Sequence, residues 1–201
     1  IEIVNSTDKE KRDKYVKHLY KKLQREGQLE RDVDRLVRND RIAWGSSMIA
    51  CKDADAMVTG NIRHYAASIE KLKKVVEPRP GEEIFGMTMI NSKGKTILVA
   101  DTNVQDFPSA ERLVNVSKSC VRVARLFGFD PKVAFLSHST FGKPVSKNTK
   151  HVRDAIEILK KEKVDFDFDG EMQPDVALNP VYQEIYPFSK IVGKANILIM
   201  P

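Results

Sequence analysis

VAFLSHSTFGKPVSKNTKHVRDAIEILKKEKVDFDFDGEMQPD, residues 133–175, is the stretch that decides the fold. An unbroken apolar run at 133–136 meets a loop holding Ser137, His138, Ser139, Thr140 and Gly142, and a stretch of helical period follows at 151–161. A second run, 164–168, ends in Asp169, Gly170 and Glu171. This order predicts a strand, a crossover helix and a second strand. A helix carried between two buried strands implies parallel pairing, and ligands of such sheets bind outside the carboxyl ends of the strands. The polar clusters at 137–142 and 169–175 both fall at those ends.

The loop 137–142 has two readings. Small hydroxyl side chains and a glycine after a strand let backbone N–H groups and hydroxyls approach an anion closely; loops of the same composition are also ordinary strand exits. His138 reads as a structural hydrogen-bonding residue rather than a base. The carboxylates Asp165, Asp167, Asp169, Glu171 and Asp175 resemble a metal cluster, but the first two alternate with Phe166 and Phe168 and point to the face opposite the phenylalanines. Asp169, Glu171 and Asp175 remain at the strand end, and a magnesium site would need them to converge. No metal is assigned to this stretch.

Working outward, Thr7 and Glu10 have capping-box spacing before a helix with Tyr15, Val16, Leu19, Tyr20 and Leu23 on one face, stopped at Gly27. A short helix carries Val33, Leu36 and Val37, and residues 42–50, with Trp44, read as a buried helix. Residues 56–59 predict a short buried strand and 63–76 another helix. Glu77-Pro78-Arg79-Pro80-Gly81 breaks every pattern and marks a domain boundary. Strands at 84–90 and 96–101 form a hairpin through a loop containing Gly94. Asp101 ends the second and is expected to anchor the following loop. Ser109 caps a helix with Leu113, Val116, Cys120, Val123 and Phe127 inward and Gly128 beyond it. A last strand is predicted at 195–200.

The 201 residues, 41% hydrophobic and 31% charged, suffice for a real core. No apolar run approaches the roughly 18 residues of a membrane span, and no signal-peptide layout opens the chain, which leads to a cytoplasmic expectation with no membrane partner. Cys51 and Cys120 lack metal-ligand spacing. The net charge of +6 is interleaved with acids, as in KEKRDKYVKHLYKKLQRE, the pattern of solvated helix faces rather than of a nucleic-acid surface. An anionic small molecule suits the surplus. No Walker loop, GxGxxG, GxSxG or triad spacing is present. The start on Ile1 within a strand-like IEIV and the end at Pro201 directly after an apolar run create the expectation of a piece of a longer chain.

ADAMVTG (54–60), ILVADTNVQDFPSAERL (97–113), PKVAFLSHSTFG (131–142), FDGEMQPDVAL (168–178) and GKANILIMP (193–201) together resemble the phosphate acetyl/butyryltransferase family. The wording ADT-V--FPSAE and LSHSTFG is nearest to the phosphotransacetylase-like C-terminal domain of the large NADP-dependent malic enzymes. The resemblance implies an α/β fold, a two-domain three-layer α/β/α sandwich of the phosphate acetyltransferase (isocitrate/isopropylmalate dehydrogenase-like) type, truncated at both ends. Residues 1–80 would be the later part of the first α/β domain and 84–201 most of the second, with a coenzyme A cleft between them and a homodimer through this region.

Family chemistry is attack of the CoA thiolate on acetyl phosphate, assisted by a base and by arginines. Alignment puts those arginine positions on Leu23 and Glu70, which cannot grip an anion; Arg25 and Arg63 are the nearby replacements. In hybrid malic enzymes such a domain senses acetyl-CoA. The expectation is a catalytically silent sensor that binds acetyl-CoA or a related thioester through Ser137, Ser139, Thr140, Gly142, Asp169, Gly170 and Asp175. NADP and a divalent metal would belong to a separate malate-decarboxylating domain of the same chain. The alternatives are an active phosphate acetyltransferase and a ligand-free dimerisation module.

Overall fold

A computed structural model describes residues 3–60, 62–80, 82–101, 108–144 and 149–200. The chain divides into two compact units, Ile1–Pro78 and Arg79–Pro201.

The first unit is helical. Helix α1 (Lys9–Leu23) is capped by Asp8, whose carboxylate accepts the Lys11 amide at 3.1 Å. The cap therefore falls one residue after the expected Thr7, whose own N–H donates to Asn5 Oδ1. Gly27 ends the following 3-10 turn at φ 81°, a left-handed conformation that costs glycine nothing. Helices α2 (Glu30–Asn39), α3 (Arg41–Ala50) and α4 (Tyr65–Val75) pack with α1 around Tyr15, Leu19, Leu23, Val33, Val37, Ala43, Trp44 and Val75. The Tyr15 and Trp44 rings meet edge to face at 5.0 Å.

Asp40 joins three pieces of this unit. It caps α3 through the Ile42 and Ala43 amides at 2.9 and 3.2 Å, and its other oxygen takes Arg63 at 2.6 Å and the Lys71 ammonium. Burial pushes its carboxyl up, but the donors from Lys71, Arg63 and the two amides outweigh burial and hold it at about 2. The strand expected at 56–59 does not form, and Val58 is fully exposed. A strand needs a hydrogen-bonding neighbour, and the described residues of this unit contain no other strand.

The second unit is α/β. Strands β1 (Met87–Ser92) and β2 (Lys95–Ala100) form the predicted hairpin, turned tightly through Lys93 and Gly94 at φ 50° and 73°. Ser109 caps α5 (Ala110–Leu126) by accepting the Arg112 amide at 3.2 Å. The helix buries Leu113, Val116 and Cys120 as expected, whereas Phe127, at its C-cap, is 59% exposed. Then come β3 (Lys132–Leu136), α6 (Lys150–Glu162), β4 (Asp167–Met172), the short α7 (Pro174–Leu178) and α8 (Pro180–Gln183), and β5 (Ile197–Ile199).

The sheet order is β1-β2-β5-β3-β4, with β1 antiparallel and the rest parallel. Alternation along the strands splits the core in two. Leu98, Ala100, Val133, Phe135, Phe168, Ile197 and Ile199 pack under α5 and α6. Val99, Ala134, Leu136, Met172 and Leu198 pack with Val176, Ala177, Ile191 and Ala195 on the other face. Two layers of cover on one sheet make the α/β/α sandwich that the resemblance implies.

Strand β4 starts three residues later than expected and runs on through Asp169, Gly170 and Glu171. Its apolar start, Val164 to Phe166, is instead the loop that packs beneath α5 and α6. Of the carboxylates placed by sequence at the strand end, Asp169 and Glu171 therefore lie within the strand and Asp175 in the first turn of α7.

Candidate ligand site at the strand ends

Because β2, β5, β3 and β4 are parallel, Ala100, Ile199, Leu136 and Met172 end on one edge of the sheet. Among the described residues, two concavities of this unit lie at the opposite edge: one is lined by Val164 and Phe166, before β4, and another by Lys194 and Asn196, before β5. At the carboxyl edge the structure instead assembles two polar centres.

The first is the 137–143 loop. Thr140 and Lys143 exchange backbone hydrogen bonds at 2.8 and 3.1 Å around Phe141 and Gly142, both at positive φ (49° and 88°). The loop is fastened to the end of β4 by Ser137 N–H to Met172 O at 3.0 Å and Phe141 N–H to Glu171 O at 2.7 Å. Gln173 adds its amide to Thr140 Oγ1 at 3.2 Å and its side chain to the His138 carbonyl at 2.8 Å. So many cross-links leave a preformed loop rather than a pliable one.

At its centre lies Glu171, fully buried. Its Oε1 accepts the Ser139 hydroxyl at 2.9 Å, the Gly142 amide at 3.0 Å and Arg153 Nη1 at 2.9 Å. Arg153 also donates to Thr149 Oγ1 at 2.8 Å. Oε2 has no hydrogen-bond partner among the described residues. Neither Arg153 nor Glu171 was among the residues singled out as the ligand site. Arg153 was legible in principle: helix side chains lean toward the N-terminus, so a residue in the first turn of α6 reaches back to the loop that precedes it.

Of the residues expected at the site, Ser139 and Gly142 converge on Glu171, and Ser137 is half-buried beside them with Oγ accepting the Ser139 amide at 3.3 Å. Thr140 is buried and holds Gln173. Asp169 turns elsewhere, accepting the Gly170 amide at 2.9 Å and the Lys190 amide at 2.7 Å. Gly170 lies against β3: a Cβ there would stand 2.6 Å from the Phe135 carbonyl oxygen, at φ 149°. Asp175 is exposed at the start of α7 and accepts the Val176 amide. Asp169, Glu171 and Asp175 do not converge, and among the described residues no group of three or more His, Cys, Asp or Glu is arranged to hold a metal.

The second centre is Asp101 at the end of β2. One oxygen accepts the Gly86 amide at 2.7 Å and the other pairs with Arg112 at 2.6 Å. Arg112 also donates to the Ile84 carbonyl at 2.9 Å and to Glu83. Asp101 thus fixes the segment leading into β1; the following loop, 102–107, lies outside the described residues. Nearby Cys120 is buried, and burial together with the Asp101 charge pushes its thiol up to about 12. It is no nucleophile at neutral pH. Ser139, fully buried with its hydroxyl on a carboxylate, is not one either.

The positions that the resemblance assigns to arginines, and their nearby replacements, all lie in the helical unit. Leu23 is 2% exposed, in the core, and Glu70 is exposed on α4. Arg63 is held by Asp40, and Arg25 is exposed on the 3-10 turn after α1.

A mainly parallel sheet with polar centres at its carboxyl edge has the arrangement in which α/β domains place their ligands. The model of the phosphate acetyl/butaryl transferase family matches residues 1–201, and the chain belongs to that family. It is 43% identical to an NADP-dependent malic enzyme of Rhizobium meliloti, over 100% of this chain and 26% of that protein. It is 33% identical to a phosphate acetyltransferase of Thermoanaerobacterium thermosaccharolyticum, over 100% of the chain and 63% of that protein. The crystal structure of a phosphotransacetylase from Streptococcus pyogenes superposes with a TM-score of 0.80 at 28% identity, over 93% of this chain and 58% of the other. The chain thus spans about a quarter of the length of the malic enzyme relative. No helix among the described residues is long and apolar enough to cross a membrane.

Proposed function

We propose that this chain is a phosphotransacetylase-like regulatory domain that binds acetyl-CoA or a related CoA thioester without turning it over. Through that binding it would modulate an NADP-dependent, metal-assisted oxidative decarboxylation of malate in another domain of the same protein. The observation that carries the reading is Leu23. The position at which family resemblance puts a phosphate-gripping guanidinium is a core leucine at 2% exposure, and no rotation of α1 that keeps the core would bring a charge there. Glu70 at the second position repels an anion, and the candidate replacement Arg63 already neutralises Asp40. Losing contacts made in the transition state while keeping those to the nucleotide leaves binding without catalysis.

A ligand that prefers one of two assembled states shifts the equilibrium by its differential affinity. A homodimer formed through this domain would supply a shared two-state element. Calorimetry with acetyl-CoA on the full-length protein tests the reading: heat of binding is expected, and its absence leaves a structural dimerisation module. The second reading, an active phosphate acetyltransferase, is favoured by the 33% identity to an enzyme of that name. It requires Arg25 or Arg63 to act on phosphate. Formation of acetyl-CoA from acetyl phosphate and CoA by the full-length protein, abolished by R25A or R63A, would establish it.

A further inference from the structure

We propose that the concavity before β5, at the edge of the sheet where the parallel strands begin, is a second ligand site, in which Lys95 and Lys194 hold the head of an organic phosphate whose apolar body lies on Ile97, Leu178 and Ala195. The cavity has a volume of about 420 Å³ and is lined by these five residues with Thr96 and Asn196. That size falls in the range of small-molecule pockets. Its two lysines are brought together by register. Strands β2 and β5 run parallel with Val99 beside Leu198, and the same pairing carried back four residues along both chains sets Lys95 alongside Lys194, about one strand spacing away. Alternation along β2 puts Lys95 on the face of Ile97 and Val99.

Two ammonium groups side by side repel each other. The effect shows on Lys194, whose amine the neighbouring Lys95 pulls below its ordinary 10.5. Neither lysine has an acid partner among the described residues, and no Asp or Glu lines the cavity. The other polar side chains of the lining are spent within the protein: Thr96 donates to Asn91, while Asn196 accepts the Lys132 amide at 2.8 Å and donates to the Asp130 carbonyl at 2.7 Å. The two ammonium groups are therefore the side-chain donors left for a ligand. A phosphate monoester brings close to two negative charges and three acceptor oxygens at neutral pH, enough to meet both, whereas a carboxylate brings one charge. Bare phosphate would leave the half-buried Ile97 and Leu178 uncovered, so the ligand that fits carries an apolar body behind its phosphate.

The site stands at the edge opposite the 137–143 loop and is independent of thioester binding there. Its test is calorimetric titration of the full-length protein with phenyl phosphate, inorganic phosphate and benzoate, as wild type and as K95Q, K194Q, K95R and, in the helical unit, K73Q. Crystals of the wild type are soaked in phenyl phosphate. Phenyl phosphate is expected to bind the wild type at least about fivefold more tightly than either fragment, to lose at least about fivefold in K95Q and in K194Q, and to keep its affinity in K95R and K73Q. In the crystal its phosphorus is expected between the two Nζ atoms. Wild-type affinity in K95Q and K194Q overturns the proposal, and so does benzoate or inorganic phosphate binding as well as phenyl phosphate. Phenyl phosphate seen in the crystal without lysine-dependent heat in solution is binding at crystal concentration only, which overturns it too. Acetyl-CoA should bind K95Q and K194Q as it binds wild type; a loss there would put the lysines in the thioester site and remove the second one. Failure of acetyl-CoA to bind any variant overturns the thioester reading alone.

Discussion

Two carboxylates, Glu171 and Asp40, each organise one unit, and neither role was visible in the local sequence. Glu171 falls between Gly170 and Met172 in a stretch dense with acids, and what distinguishes it is burial beneath Arg153 and the Ser139 turn, contacts 18 and 32 residues away. Removing one partner of a buried pair strands the other. R153M is therefore expected to destabilise the domain by about 2 kcal/mol, below the usual cost for a fully buried pair because Arg153 is partly solvated; denaturant unfolding followed by circular dichroism measures it. Asp40 makes a pH prediction. Its folded carboxyl sits at about 2 against an ordinary 3.8, so its contribution is complete above pH 4 and is lost as pH falls toward 2. D40N, which keeps an acceptor for the Ile42 amide but not the charge that holds Arg63 and Lys71, should flatten the stability profile in that window. D40A loses the cap as well, and should cost about 1 kcal/mol more than D40N at neutral pH.

At the scale of elements, periodicity carried most of the reading. The longer helices and the parallel crossover were legible because each buries a stripe of matching period, and the hairpin through its Gly94 turn although β1 is almost wholly exposed; the short α7 and α8 were not legible. The failures share a cause: a strand is defined by its neighbours. Residues 56–59 have strand composition but no partner strand among the described residues of their unit, so no strand forms and all but Met57 are exposed. Strand β4 was placed too early because Phe166 and Phe168 alternate convincingly, while its true end is fixed by pairing with β3 up to Met172. Two glycines near the site separate conformation from space. Alanine at Gly142 meets nothing within 4 Å and suffers only its positive φ, an expected loss of about 1 kcal/mol. Alanine at Gly170 collides with the Phe135 carbonyl at 2.6 Å and should cost about 2 kcal/mol or more, since a strand backbone cannot step aside as a side-chain tip does. Thermal unfolding of G142A and G170A checks the order.

For the whole molecule, the family could be recognised from its strand-end wording, but the state of its chemistry could not be read from any one motif. It turns on the two positions that the resemblance assigns to arginines, and the structure puts Leu23 in a core and Glu70 on a surface. That contrast yields the last prediction. Restoring guanidinium groups by L23R and E70R should not restore acetyl transfer. E70R is a surface change and should alter stability by no more than about 0.5 kcal/mol, whereas L23R forces a charge among Leu19, Val33 and Val37 and should cost more than about 4 kcal/mol, a large share of a domain's total stability. If the protein instead senses a thioester, the sensing obeys linkage: whatever factor acetyl-CoA applies to malate affinity, malate must apply to acetyl-CoA affinity. Equilibrium titrations of each ligand with and without the other should return the same factor in the wild type and in E70R. They should return a factor of one in L23R, where the helical unit is unfolded. A well-folded L23R that transfers acetyl groups would show that the leucine had been all that separated this domain from a working transferase.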